Sequence, residues 1–394
     1  MKKILIVMDS LRIGGVQTAL INLLHAIDPE KYSVDLVLFH YQDSYRPSIP
    51  ENINVIKMPF ILDTMNYSGT EIKKATRIKW FVKKSMALLC RIFGSELIYS
   101  IVFLGVNELN CRYDVAISYS NNINNHSTYF GVNKFVLEKV KATKKVTWLH
   151  VDYDAMNMFN SVNNSEYPKF DEIVHVSEAV REVFLNYFPE LKQKSKVIYN
   201  LVNTSTIHDK ANQENFKRFQ EFSIITVARL DQNKNVIEGL RVAKRLKDDG
   251  CLYKWLIIGD GPMKAELERY TTENGLTANI LFLGYKDNPF PYVIQSDLYV
   301  STSISESFGL SIIEANSLGV PALVKNYPAA KEIIDSGLNG YIVDSEDEMY
   351  EILKSLITEP EKYNQLKKTC KPKISDGETM RIFEEFIESE DRKI

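Results

Sequence analysis

Ser305-Glu306-Ser307-Phe308-Gly309-Leu310-Ser311-Ile312-Ile313-Glu314-Ala315 is the stretch that decides how this chain reads. Two acids, Glu306 and Glu314, stand eight positions apart, separated by a glycine and an apolar run of the kind that opens a buried helix. At 1.5 Å per residue, eight helical positions cover about 12 Å. The start of such a helix offers free N–H groups and a positive dipole end, a suitable seat for a diphosphate. Two acids about 12 Å apart would then accept hydrogen bonds from hydroxyls on either side of that anion, the layout of a nucleotide-sugar. A solvated acid before a helix and a second on its exposed side would give the same spacing.

The residues upstream favour the ligand. Phe222–Val227 reads as a strand that runs into Ala228-Arg229-Leu230-Asp231-Gln232-Asn233-Lys234. Arg229 and Lys234 therefore follow the C-terminal end of a strand, where open α/β sheets bind ligands. A second strand, Trp255-Leu256-Ile257-Ile258, ends in Gly259-Asp260-Gly261-Pro262, and a third, Leu298-Tyr299-Val300, leads into the Glu306 segment. Three strand ends thus supply two cations for phosphates, a tight glycine turn and two acids for hydroxyls.

This ordered set resembles the retaining glycosyltransferases of family 4 (glycosyl transferases group 1). The resemblance runs through Val227-Ala-Arg229-Leu, Lys234, Gly259-Asp-Gly-Pro262, Phe282-Leu-Gly284-Tyr285, Ser296-Asp297 and Glu306-Ser-Phe-Gly309-Leu to Glu314-Ala315. In the first half, Lys3-Ile-Leu-Ile-Val7 with Gly14-Gly15-Val16, and Val174-His-Val-Ser177 through Arg181, fit the same pattern. It implies an α/β, GT-B fold: two Rossmann-like doubly wound domains facing across a cleft, with a C-terminal helix returning to the first. It also implies roles: Arg229 and Lys234 on the departing diphosphate, Glu306 on the sugar, Glu314 on the ribose, His150 lining the sugar pocket. Donor contacts are expected from Gly14, Gly15, Gly259, Gly261, Gly284 and the backbone of Phe308, Gly309 and Leu310. Two segments depart from the pattern. Asn200-Leu201-Val202-Asn203 stands where the family often has Asn-Gly-Val-Asp, and Pro328-Ala-Ala-Lys-Glu332 where it has Gly-Gly-x-x-Glu. The second puts close backbone approach to the donor in doubt and marks where sugar specificity should deviate.

Length and composition agree. A chain of 394 residues is long for one core and comfortable for two domains. We expect an acceptor-side domain over 1–203 joined by a returning helix at about 376–394, and a nucleotide-sugar domain over 204–375. The polar stretch 200–215 is the candidate linker. A net charge of −3 gives no reason to expect nucleic acid as a partner. Cys90, Cys111, Cys251 and Cys370 form no zinc or redox spacing, which points to a reduced cytoplasmic setting. Met1-Lys-Lys resembles the start of a signal peptide, but the apolar run ends at Met8 and Asp9 follows; a buried parallel strand is the better reading. No stretch reaches the roughly 18 apolar residues of a membrane span. Strands are expected at 4–8, 33–39, 54–58, 115–118, 145–149 and 173–176, a first helix at 16–27 and a last at 378–390. The last one would bury Met380, Phe383, Phe386 and Ile387.

His150-Val151-Asp152-Tyr153-Asp154 follows a strand and has polar groups at alternate positions, which could suit a divalent metal. Arg229 and Lys234 already supply positive charge for the phosphates, so no metal or other cofactor is expected. His150 as a structural histidine stays open, and His25, His40, His126, His175 and His208 carry no assignment. Residues 71–94 read as one basic amphipathic helix. Lys73, Arg77, Lys84 and Arg91 fall within about 40° of one another, opposite Ala75, Ile78, Val82, Met86, Leu89 and Phe93. The helix either covers the core with its charges in solvent or docks on an anionic membrane.

The expectation is a metal-independent, retaining glycosyltransferase moving a sugar from a UDP-sugar to a hydroxyl of a growing, lipid-linked glycan. Its setting would be bacterial capsule or other surface-polysaccharide assembly, peripherally at the inner face of the cytoplasmic membrane. Two alternatives are a sugar phosphorylase of the same fold, against which the ribose ligand Glu314 argues, and a non-catalytic partner of an active enzyme. Acceptor contacts are expected in 41–51 and 120–130.

Overall fold

The computed structural model describes residues 1–12, 14–122, 126–128, 130–214 and 216–389. They form two compact units, one of 1–201 with the chain from 379 onward and one of 202–378.

The first unit is built on a parallel sheet of seven strands: β1 (Lys2–Met8), β2 (Tyr32–Leu38), β3 (Asn54–Lys57), β4 (Arg112–Ser118), β5 (Lys141–Leu149), β6 (Glu172–His175) and β7 (Ser195–Val197). Their order is β3-β2-β1-β4-β5-β6-β7. The apolar run Ile4–Met8 is buried on both faces, as a central parallel strand requires, with Ile4 in register with Val34 and Val115. The chain order reverses between β1 and β4, a topological switch point. The short β7 was not anticipated; three residues with one fully covered position give too little alternation to read.

The second unit holds a six-stranded parallel sheet: β8 (Phe222–Val227), β9 (Tyr253–Ile258), β10 (Ile280–Gly284), β11 (Leu298–Ser301), β12 (Ala322–Lys325) and β13 (Gly340–Val343). The order β10-β9-β8-β11-β12-β13 puts its switch point between β8 and β11. Its core joins Trp255, Leu240, Leu246, Leu298 and Leu353 from strands and flanking helices.

The last helix, Asp376–Glu388, returns to the first unit, where Phe383 lies 6.3 Å from Trp148 and Lys144 Nζ donates to the Phe386 carbonyl at 2.9 Å. Phe383, Phe386 and Ile387 are buried, and Met380 is half-buried.

One expectation holds in place but not in form, and one needs correction. The candidate linker 200–215 contains the boundary between the units, at 201–202, but is not irregular throughout, because Thr204–Ala211 is helical. Asn203, at φ 58°, caps it by accepting from Thr206 N, and Asp376 accepts from Thr204 N at 2.8 Å. Nor is 71–94 one helix. In the first unit α1 (Gly15–Ala26) and α2 (Phe60–Met65) are followed by α3 (Glu71–Lys74), a break at Ala75-Thr76, then α4 (Arg77–Phe93) and α5 (Ser95–Leu104). Thr76 is extended and its hydroxyl caps α4 by accepting from Lys79 N. Lys73 therefore stands on a different helix from Arg77, Lys84 and Arg91.

Candidate active site

In the second unit the loops after β8 and β11 meet at the switch point. Asn233 Nδ2 donates to the Ser305 carbonyl at 2.9 Å, Ile304 N donates to the Asn233 carbonyl at 2.8 Å, and Thr302 Oγ1 donates to the Lys234 carbonyl at 2.8 Å. These bonds bring together two residues 72 positions apart: the Lys234 ammonium is ion-paired with the Glu306 carboxylate. Both are partly sheltered from solvent. Arg229, on the same loop, projects outward; its side chain is 73 % exposed and lies 3.5 Å from Asp231. Asp231 in turn accepts from Lys234 N at 3.1 Å, fixing the turn.

The glycine turn after β9 is required by crowding. A Cβ on Gly259 would sit 1.8 Å from the Ala228 carbonyl oxygen, and one on Gly261 would sit 2.3 Å from that of Leu230. The turn and the Arg229 loop are thus in backbone contact, locked by Leu230 N to Asp260 O and Met263 N to Leu230 O. Gly284 ends β10 in open space.

The helix predicted to span both acids begins only at Leu310, so Glu306 stands in the preceding loop and just half of the interval to Glu314 is helical. The 12 Å helical spacing therefore does not apply. Gly309, at φ 91°, sets the turn into the helix, and Phe308 is buried. Glu314 is enclosed by protein while part of its surface stays open, and burial pushes its carboxyl up to about 7, weakly opposed by Lys210.

Sequence reasoning missed two tyrosines. Tyr299 on β11 is buried and donates to the Val227 carbonyl at 2.9 Å, and it feels both Glu306 and Glu314. Tyr327, just before the segment lacking the family glycines, is buried with its hydroxyl against Gly309. Tyr299, in an apolar strand, reads as core, and Tyr327 follows β12 in a loop with no motif of its own, so neither gave a signal. In that segment Ala329 and Ala330 are fully buried.

In the first unit His150 follows β5. It is 6 % exposed, lies 4.3 Å from Tyr119, and stacks on Trp148. Burial holds its imidazole down to about 3, so the ring is neutral. Gly14 caps α1 in an extended conformation, and Gly15 begins it. At the switch point Asp9 follows β1, and Ser120 Oγ donates to its Oδ1 at 2.6 Å. The two line a cavity of 220 Å³ with Gln17, Asn121 and Val151. The expected acceptor loop 120–130 lies partly outside the described residues. Asp152 is turned inward on its own loop, accepting from the backbone N–H groups of Asp154 and Ala155 at 2.9 Å. His40, left unassigned above, is buried and bonds Asp63 at 2.8 Å, itself beside Lys79. Lys73, Arg77, Lys84 and Arg91 are all exposed.

Residues 208–372 match the Glycosyl transferases group 1 family. The match covers the unit that holds Arg229, Lys234, Glu306 and Glu314. Over 97 % of both chains, the protein is 24 % identical to the N-acetylgalactosamine-N,N'-diacetylbacillosaminyl-diphospho-undecaprenol 4-alpha-N-acetylgalactosaminyltransferase of Campylobacter jejuni. It superposes on Anabaena HepE in complex with UDP and glucose with TM-score 0.66 and 18 % identity, covering 99 % of this chain and 100 % of that one. For an S. aureus TarM mutant in complex with fondaparinux, alpha-GlcNAc-glycerol and UDP, the TM-score is 0.67 at 15 % identity, again over 99 % and 100 %. The two Rossmann-like units constitute a GT-B fold. A glycosyltransferase activity is supported by the group 1 match and by the name of the C. jejuni relative.

Proposed function

We propose that the chain is a retaining, metal-independent glycosyltransferase of the family 4 kind, transferring a sugar from a UDP-sugar to a hydroxyl of a lipid-linked glycan during cell-surface polysaccharide assembly. The observation that carries this reading is the meeting of Lys234, Glu306 and the Gly309 turn at the switch point of the second sheet, with Glu314 on the helix that follows. The nucleotide is suggested by the UDP in the solved neighbours. A lipid-linked acceptor is suggested by the relative that acts on a diphospho-undecaprenol-linked glycan. The same acceptor would place the enzyme peripherally at the inner face of the cytoplasmic membrane. No described helix is long and apolar enough to cross a membrane.

The chemistry follows from the charges. The bond from the sugar's anomeric carbon to the phosphate oxygen breaks, and negative charge grows on the leaving diphosphate. Arg229 and Lys234 would stabilise that charge in the role a metal plays elsewhere, and the N–H groups of Phe308, Gly309 and Leu310 would add to them. A donor phosphate would have to draw Lys234 away from Glu306, freeing Glu306 to accept from sugar hydroxyls. Glu314 would accept from the ribose. The acceptor hydroxyl would form the new bond on the face the phosphate leaves, its proton passing to a phosphate oxygen, so retention needs no covalent enzyme intermediate. His150, neutral, would line the sugar pocket with Gly14 and Gly15.

The test is to incubate the full chain with a panel of UDP-sugars and an undecaprenyl-diphosphate-linked acceptor and to measure UDP release and product mass. One donor should be consumed in an acceptor-dependent way, with the anomeric configuration kept. Inversion, or turnover only with inorganic phosphate, would overturn the reading.

A further inference from the structure

Packing turns α4 so that its exposed half carries two stripes side by side. Ile78, Phe81, Leu88 and Ile92 are 69 %, 67 %, 56 % and 60 % exposed. At 100° per residue they fall within about 80° of one another. Directly beside them run Arg77, Lys84 and Arg91, all exposed. The opposite half faces the core through Cys90, Lys83, Met86 and Leu89, with the Lys83 ammonium donating to the Met65 carbonyl at 2.5 Å. The neighbouring α5 repeats the pattern: Ile98, Tyr99 and Phe103 are buried, while Leu97, Ile101 and Leu104 are 50 %, 55 % and 84 % exposed. Phe60 of α2 is also exposed, with the Lys79 ammonium 5.9 Å from its ring. So many large apolar side chains on one helical hairpin exceed what a water-facing surface ordinarily shows.

We infer that this face of the α4–α5 hairpin lies on an anionic lipid bilayer, with Ile78, Phe81, Leu88 and Ile92 in the headgroup–acyl boundary and Arg77, Lys84 and Arg91 on lipid phosphates. Charge selects this occupant. Of the cations on α4, Lys83 is buried and Lys79 pairs with Asp63, but Arg77, Lys84 and Arg91 stand exposed with no acid on the helix, so a second copy of the chain would oppose like charges across the same surface. An apolar stripe bordered by cations is the pattern of a helix lying in a membrane interface. The expected arrangement, cations opposite the apolar residues, would leave only charge to hold the surface; here insertion and charge act from one side. The inference deepens the reading of a lipid-linked acceptor and takes its purpose from it.

The experiment is co-sedimentation of the full chain with phosphatidylglycerol–phosphatidylcholine vesicles and with pure phosphatidylcholine vesicles, at 0.05 M and 0.5 M salt as rough limits of screening. Wild type should prefer the anionic vesicles, by about fivefold per engaged cation at low salt, and retain part of its binding at high salt. Joint replacement of Ile78, Phe81, Leu88 and Ile92 by Ser should cut binding at least about tenfold at both salts. Joint replacement of Arg77, Lys84 and Arg91 by Gln should abolish the anionic preference. Because these side chains are exposed, far-ultraviolet circular dichroism and melting should match wild type. The inference is overturned if wild type ignores anionic vesicles, if the Ser variant binds as wild type does, or if wild type is a stable dimer that the Ser changes dissociate. UDP release in solution is read separately. Vesicle binding without any sugar transfer would sink the proposed function and leave this surface standing, whereas transfer without vesicle binding would do the reverse.

Discussion

Replacing Glu314 by Gln should make the unliganded protein more stable at alkaline pH while weakening its hold on UDP. The carboxyl is pushed from its ordinary 4.5 up to about 7 by burial. A raised carboxyl contributes stability that is present below the unfolded value and is lost as pH rises through the folded one. The interval between the two values corresponds to roughly 3 kcal/mol of charge desolvation well above pH 7. Part of the residue's surface is still open to solvent, so about half of that, some 1.5 kcal/mol, is the working figure. At pH 5 the folded carboxyl is neutral and Gln is close to isosteric, so the gap should shrink to about a quarter of its alkaline size, and it should vanish only below about pH 4.

The ligand should reverse the order. At a UDP concentration about a hundred times the dissociation constant, wild type gains about 2.7 kcal/mol. Losing a charged hydrogen bond to the ribose costs about 1.5–3 kcal/mol, which would cut the gain for the variant to about 1.4 kcal/mol or less. Urea unfolding of both proteins at pH 5 and pH 8, with and without UDP, reads every arm. Three results would refute the reasoning: a variant less stable than wild type at pH 8, an equal gap at both pH values, or equal stabilisation of the two proteins by UDP. Glu166 is the control. It lies in the first unit, is 4 % exposed, raised to about 7 by burial, and accepts from Asn122 of the same unit. Glu166→Gln should show the same pH dependence and leave the UDP effect untouched.

Arg229→Ala and Lys234→Ala should each lower turnover about a hundredfold, the usual worth of one group aimed at developing charge, and EDTA should leave the wild-type rate unchanged. If EDTA abolishes the rate and manganese restores it, the metal-free mechanism fails. Glu306→Gln should lower kcat because its partner is the reacting sugar, whereas Glu314→Gln should act on the donor KM; steady-state kinetics showing the opposite split would exchange the two assignments. Gly259→Ala and Gly261→Ala, each placing a methyl within 2.3 Å of a backbone oxygen, should cost about 3 kcal/mol or more in urea unfolding. Gly284→Ala meets no neighbouring atom but sits at φ 67°, so its cost should be only that of left-handed backbone, about 1–2 kcal/mol.

The placement of the candidate donor residues was legible because it is local. Arg229, Gly259 and Glu306 each stand in the loop after a strand whose apolar run is plain in the sequence, and a parallel sheet brings such ends to one edge. What could not be read was contact across the chain. That Lys234 pairs with Glu306 depends on the Asn233 and Thr302 bonds between two loops. Asp9 served only to end an apolar run, yet Ser120 fixes it in a cavity because β1 and β4 are neighbours at the switch point.

The basic segment shows the limit more sharply. Its break was written in the sequence, because Thr76 caps the second helix; upstream, at the entry to the first, Ser68 and Glu71 bond reciprocally, Glu71 N to Ser68 Oγ at 3.1 Å and Ser68 N to Glu71 Oε2 at 2.6 Å. The run of helical periodicity masked both signals. Which half of α4 faces the core was only partly written there: Met86 and Leu89, placed opposite the cations, do pack on the core, but Ile78 and Phe93, placed with them, are exposed. Both candidate faces are apolar; one carries Val82, Met86 and Leu89, the other Phe81, Leu88 and Ile92. Period alone ranks faces by hydrophobicity, and here the two differ little. The choice falls to partners far along the chain, since the Lys83 ammonium bonds Thr128 Oγ1 at 2.5 Å and Cys90 packs in the cluster of Tyr99, Phe103 and Phe135. Once those contacts fix the rotation, the second apolar face must point outward beside the cations. A helix with two apolar faces is a poor solution for a protein surrounded by water alone, and a good one for a protein that covers its core with one face and meets lipid with the other.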